Sequence, residues 1–113
     1  MEINRPTPLL GGLSPAQFMR RHWQKKPLLI RQAFPDMAGP PIERSKLFDL
    51  AGGEGVESRL IRRSDDGWTL RRGPLPRRAL PPRSRPGWTL LVQGVDLHDQ
   101  AVHDLLGPFR FLP

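Results

Sequence analysis

The passage from Phe18 to Ile30 restricts the fold of this chain more than any other. A segment carrying Phe18, Met19, His22 and Trp23 meets Pro27, and three apolar residues, Leu28, Leu29 and Ile30, follow at once. Proline lacks a backbone donor and drives the residue before it, here Lys26, out of the α conformation. A helix must therefore end by Lys26 and hand over to extended chain. Its start is equally marked. Ser14 is a capping residue, Pro15 stands at the first helical position, and Gln17 completes a capping box. Leu13 and Phe18 occupy the two positions of a hydrophobic staple. The pattern predicts a helix running to about Lys25, with Phe18, Met19, His22 and Trp23 as its buried stripe. Arg20, Arg21, Lys25 and Lys26 fall in its second half, where the helix dipole favours cations. Residues 28–30 are expected as a short strand.

The rest of the chain is dense in breakers. Of 113 residues, 14 are Pro and 11 are Gly, and only 37% are apolar. That bounds the fold to one loop-rich α+β domain at most, or to part of something larger. Residues 1–12, with Pro6, Pro8, Gly11 and Gly12, are expected as an extended lead-in, and residues 13–113 as the folded segment. A second helix is predicted over 43–51, stopped by Gly52-Gly53. Residues 56–63 and 68–71 read as a hairpin around Asp65-Asp66-Gly67. Residues 73–86 hold five prolines and four arginines, a loop expected to cross a surface or to order against a partner. Residues 88–95 are the most apolar run and read as a buried strand. Asp96 is the expected cap of a helix over 98–106. Trp68 and Trp88 both stand where core aromatics are expected. Phe109, Phe111 and Leu112 crowd the last five residues, which suggests a chain that stops short of the element it packs on.

Several function classes fall away. Without Cys there is no disulfide and no thiolate metal site. No apolar run approaches the ~20 residues of a membrane helix, and the N-terminus lacks the apolar core of a signal peptide. The expectation is a soluble, cytoplasmic protein with no membrane partner. The formal charge of +7 invites a nucleic-acid reading. Yet the cations are 15 Arg against 3 Lys, a skew that GC-rich coding produces together with high Pro and Gly, so the charge is discounted. From Arg59 to Arg85 there are nine arginines against two acids, with doublets Arg62-Arg63, Arg71-Arg72 and Arg77-Arg78. On strands, neighbours point to opposite faces, so the doublets form no single stripe.

No residue qualifies as catalytic, cofactor-binding or metal-ligating. A two-His-one-carboxylate iron site needs three ligands on one face, and His-x-Asp on a strand is the compact way to supply two. The chain holds His22, His98 and His103 but no His-x-Asp. Asp96-x-His98 stands at an expected strand-to-helix junction, where the two-residue periodicity lapses, and His103 lies five residues on, off any shared helix face. Capping by Asp96 and surface histidines explain these residues. Gly52-Gly53-Glu54-Gly55 follows a helix and is no phosphate loop. Asp65-Asp66 belong to a turn, and no paired acid and base stands out.

Four pieces of the chain resemble the N-terminal part of the bacterial JmjC-type ribosomal oxygenases. They are Phe18-Met19-Arg20-Arg21-His22-Trp23-Gln24-Lys25-Lys26-Pro27-Leu28-Leu29-Ile30; Glu57-Ser58-Arg59-Leu60; Trp88-Thr89-Leu90-Leu91-Val92-Gln93-Gly94-Val95; and Pro108-Phe109-Arg110-Phe111-Leu112-Pro113. They occur in the family's order and near its spacing. The resemblance implies α+β elements flanking a double-stranded β-helix (cupin/JmjC) barrel whose core is largely absent here. It implies an Fe(II)- and 2-oxoglutarate-dependent dioxygenase that hydroxylates an arginine of a ribosomal protein, as a homodimer when full length. The family's iron and 2-oxoglutarate ligands have no counterpart in this chain, which is expected to be a truncated member, inactive alone. The other reading is a small basic RNA- or ribosome-binding module using the Arg59 to Arg85 region.

Overall fold

A computed structural model of the chain describes residues 2–113. The described residues form an α+β fold with three α-helices and one three-stranded antiparallel sheet. None of these helices is long and apolar enough to cross a membrane. The chain divides into two compact units, one of residues up to Pro40 together with Leu106–Pro113, the other of Pro41–Leu105.

In the first unit, α1 spans Pro15–Arg21 behind the expected capping box. The Gln17 amide donates to Ser14 Oγ at 3.1 Å, and the Ser14 amide donates to Gln17 Oε1 at 3.0 Å. The lead-in is not simply extended. Thr7 caps a 3-10 turn, Pro8–Leu10, that buries Leu10 and closes at Gly11, whose φ of 67° suits glycine. Residue 1 of that lead-in lies outside the described residues. The helix also ends a turn before Lys25. The amides of Lys25 and Lys26 both donate to the His22 carbonyl, at 2.8 and 3.1 Å, so a tight turn with Gln24 at φ 55° replaces the last helical turn. Residues 28–30 form no strand, because no ladder partner lies beside them among the described residues; Leu29 is left 75% exposed. The apolar finish does find partners in this unit. Phe111 meets Phe18 edge-on at 6.1 Å, and Phe109 lies 6.3 Å from Phe34.

In the second unit, α2 spans Arg44–Ala51, and the hairpin is β1, Ser58–Ser64, with β2, Gly67–Arg72. Ser64 pairs with Gly67, leaving Asp65 and Asp66 as the two-residue turn. β3, Trp88–Val92, joins the other side of β1, giving the order β2-β1-β3. The core gathers Ala51, Leu60 and Leu75, with Leu80, Trp88, Leu90 and Val92 packed against it. Leu75, fully buried, comes from the proline-rich loop, so that segment is pinned to the fold rather than draped over it. Its amide donates to Ala51 O at 2.7 Å, and the Gly73 amide donates to Ser58 O at 2.9 Å. A Cβ at Gly73 would sit 2.0 Å from Ser58 Oγ, so only glycine fits that approach.

Three expectations are corrected in this unit. β3 is shorter than residues 88–95 and is covered on one face only, because the core packs on one face of the sheet; Gly94, at φ 67°, turns the chain into a 3-10 turn, Val95–Leu97. Asp99, not Asp96, caps the last helix, α3 at Gln100–Leu105, accepting from the Val102 amide at 3.0 Å. The intervening 3-10 turn shifts the helix start by two residues. Trp68 is 71% exposed instead of buried, since it pairs with Arg63 on the outer face of the sheet, away from the core.

Candidate functional site

The register of β3 on β1 determines where its main chain points. Arg63 N donates to Gly87 O at 2.7 Å, and Gln93 N donates to Glu57 O at 2.9 Å. In an antiparallel ladder, alternate residue pairs exchange hydrogen bonds. Thr89 and Leu91, two and four residues beyond Gly87, therefore face β1, opposite Ile61 and Arg59. The amides and carbonyls of Trp88, Leu90 and Val92 point the other way, into the open edge of the sheet. A groove of about 490 Å³ runs along that edge. It is lined by the whole of β3, by Leu47 and Phe48 of α2, and by Arg44 and Arg83. Phe48 lies 6.5 Å from the Trp88 ring, and the Arg77 guanidinium sits 5.5 Å over Phe48 from a second direction. Chemically the groove offers apolar surface, main-chain donors and acceptors, and positive charge. It offers no acid, base or nucleophile.

A second groove, of about 430 Å³, lies in the first unit beside His22. The imidazole stacks on Phe18 at 5.9 Å, and its Nδ1 is buried without a hydrogen-bond partner. No carboxylate is among the lining residues. One imidazole against aromatic and aliphatic groups makes neither an acid–base pair nor a metal site.

The other histidines do not join it. His98 is exposed at the end of the Val95–Leu97 turn that holds Asp96, and His103 is exposed on α3. Among the described residues no three His, Cys, Asp or Glu side chains come together where a metal ion would bind. The described residues do not fit an iron centre.

The arginines from Arg59 to Arg85 are spread and largely engaged. Arg59 reaches Gln93, Arg62 reaches the Ala79 carbonyl, and Arg63 stacks 5.8 Å over Trp68. Arg72 stands 4.0 Å from Glu57, while Arg77 holds Asp49 at 2.8 Å and the Ser45 carbonyl. Arg59, Arg63 and Arg72 lie on the outer sheet face and Arg62 and Arg71 on the core face, as the alternation requires. Among the described residues Arg72 and Arg77 alone face a carboxylate, and the strand arginines divide between the two sheet faces rather than forming one cationic stripe. Sequence reasoning missed the groove beside β3, because an uncharged run reads the same whether it lies inside a sheet or at an edge next to a helix.

No family model matches the chain. Two relatives do. The ribosomal protein uL16 3-hydroxylase of Escherichia coli is 34% identical over 96 residues, 85% of this chain and 25% of that protein. A probable ribosomal oxygenase of Haemophilus influenzae is 34% identical over 105 residues, 89% of this chain and 25% of that one. Among solved structures, the E. coli ribosomal oxygenase YcfD superposes with a TM-score of 0.74 at 34% identity, over 89% of this chain and 27% of YcfD. YcfD in complex with cobalt and 2-oxoglutarate superposes at 0.73, with the same identity and coverage. The chain spans about a quarter of the length of the relatives it matches.

Proposed function

We propose that this chain, a relative of the ribosomal oxygenases over about a quarter of their length, is the N-terminal part of an Fe(II)- and 2-oxoglutarate-dependent oxygenase that hydroxylates an arginyl side chain of a ribosomal protein. The supporting observation is the joint match of sequence and fold to YcfD, 34% identity and a TM-score of 0.74 over 89% of the chain. A second support is chemical. YcfD has been seen with 2-oxoglutarate and with cobalt, a divalent ion that stands in for iron. Iron and 2-oxoglutarate, when bound, would activate dioxygen, the oxidant of the hydroxylation. The described residues of this chain hold no cluster that would bind them. In this reading the barrel core, the metal ligands and the homodimer contacts belong to the part of the family outside this match. Residues 13–113 supply the scaffold that flanks the barrel, behind the lead-in of residues 1–12. The protein works in the cytoplasm, where its substrate is made.

A chimera tests this reading. The chain replaces the matching quarter of E. coli uL16 3-hydroxylase, and 2-oxoglutarate turnover and uL16 hydroxylation are followed by mass spectrometry. Retained iron-dependent turnover is expected. A folded chimera that binds metal but consumes no 2-oxoglutarate would contradict the reading.

A further inference from the structure

Arg62 and Arg71 share one face of the hairpin at close quarters. Arg62 stands opposite Thr69, and Arg71, the next β2 residue on that face, stands opposite Leu60. Diagonal neighbours of this kind carry their Cβ atoms about 7 Å apart, within reach of two long side chains. A hollow of about 300 Å³ lies there, lined by Leu60, Arg62, Thr69, Leu70 and Arg71. The lining offers two guanidinium groups and one hydroxyl, and no carboxylate. The turn acids Asp65 and Asp66 lie beyond Ser64 and Gly67 and are not part of it. Arg62 commits Nη2 to the Ala79 carbonyl at 3.3 Å, which leaves its other N–H groups for a partner. Arg71 makes no hydrogen bond or ion pair among the described residues. The remaining strand arginines, Arg59, Arg63 and Arg72, lie on the opposite face, beside Gln93, Trp68 and Glu57. Leu60 is buried and gives the hollow an apolar wall, which weakens the screening of both charges.

Two like charges held this near repel, and an anion between them removes the repulsion. The donors narrow which anion. Guanidinium forks match phosphate oxygens two at a time, and the Thr69 hydroxyl supplies a donor for a third oxygen. A phosphate monoester carries about −1.5 to −2 charge near neutral pH, with three acceptor oxygens, and so answers both arginines. A carboxylate brings one charge and leaves an arginine unanswered. We propose that the hollow between Arg62, Thr69 and Arg71 is a binding site for a phosphate group, either the free ion or a terminal phosphomonoester. It shares no lining residue with the groove beside β3 and does not depend on the oxygenase reading.

An NMR titration of the isotope-labelled 113-residue chain with inorganic phosphate, against sodium chloride at equal ionic strength, tests it. Saturable shifts are expected at the Thr69 and Arg71 amides and at the Nε–H signals of Arg62 and Arg71, with no such curve in chloride. Arg62→Ala and Arg71→Ala should each weaken binding about five- to tenfold. Arg59→Ala removes the same charge from the opposite face and should leave binding within about twofold. All three side chains are exposed, so the variants keep the fold, which the remaining amide signals check. Acetate should bind at least about fivefold more weakly than phosphate. Methyl phosphate separates the two sources: tighter binding than inorganic phosphate assigns the site to a phosphomonoester, and weaker binding assigns it to the free ion. Shifts that never saturate, equal losses from Arg59→Ala and Arg71→Ala, or acetate bound as tightly as phosphate would overturn the inference.

Discussion

β2 and β3 flank the same central strand, yet they belong to the fold in different ways. β2 is a local product. A two-residue turn at Asp65-Asp66 returns the chain, and every residue of the strand after Gly67 is exposed. β3 arrives from two dozen residues away and sets Trp88, Leu90 and Val92 on the core of Ala51, Leu60 and Leu75. β2 rests on its turn and its ladder with β1. β3 is held by packing and carries no charge, whereas β2 ends in Arg71 and Arg72 and exposes Trp68 and Leu70. The difference between the two edges is thus one of tertiary support: β3 packs on the core and β2 does not.

Mutations should separate the two sides. The largest effect is expected at the core under β3. Leu75→Ala deletes a fully buried side chain and should cost about 2–5 kcal/mol in chemical denaturation. Trp68→Ala, on β2, should stay within about 0.5 kcal/mol despite its larger size. Equal losses would erase the distinction. Next comes the junction where the proline-rich loop crosses β1. Gly73→Ala places a Cβ 2.0 Å from Ser58 Oγ and should cost about 1–3 kcal/mol, with Ser58→Ala in the same chain recovering part of it. If Ser58→Ala recovers nothing, the clash lies elsewhere. The smallest effect belongs to the charged edge. Arg72 and Glu57 are both more than half exposed and 4.0 Å apart, so Arg72→Ala should change stability by no more than about 0.5 kcal/mol, a difference that fades as salt is raised. A larger loss that fades as salt is raised would mean that β2 is held by its charges after all, and a larger, salt-independent loss would assign it to the packing of the Arg72 side chain.

What the sequence disclosed was local. Ser14, Pro15 and Gln17 form the capping box that their spacing announces, and Asp65-Asp66 turn the hairpin. Both depend on residues within a few positions of one another. The misjudged features depend on what lies across the fold. Trp68 looked like core because it is aromatic and in a strand; its exposure follows from the register, which sets it beside Arg63 on the outer face. Leu75 looked like loop because prolines surround it, yet the Ala51 carbonyl and the Ser58 strand hold its segment in the interior. Residues 28–30 have the composition of a strand but no ladder partner. Asp96 lost the cap to Asp99 because Gly94, in the left-handed region, inserts a turn that the helical pattern does not reveal. The similarity to the ribosomal oxygenases was legible in four separated motifs, and the groove beside β3 was not, since it is made jointly by α2, a distant arginine and a strand edge.

In the proposed reading these residues are scaffold, and the chemistry needs the part of the relatives that they do not match. The most direct measurement is 2-oxoglutarate decarboxylation by the purified 113-residue chain, loaded with Fe(II) and ascorbate and given a ribosomal-protein peptide. The account predicts no metal-dependent succinate above a protein-free control, while the E. coli enzyme under the same conditions turns over. Succinate formed by the chain alone, abolished by chelation and restored by Fe(II), would contradict it.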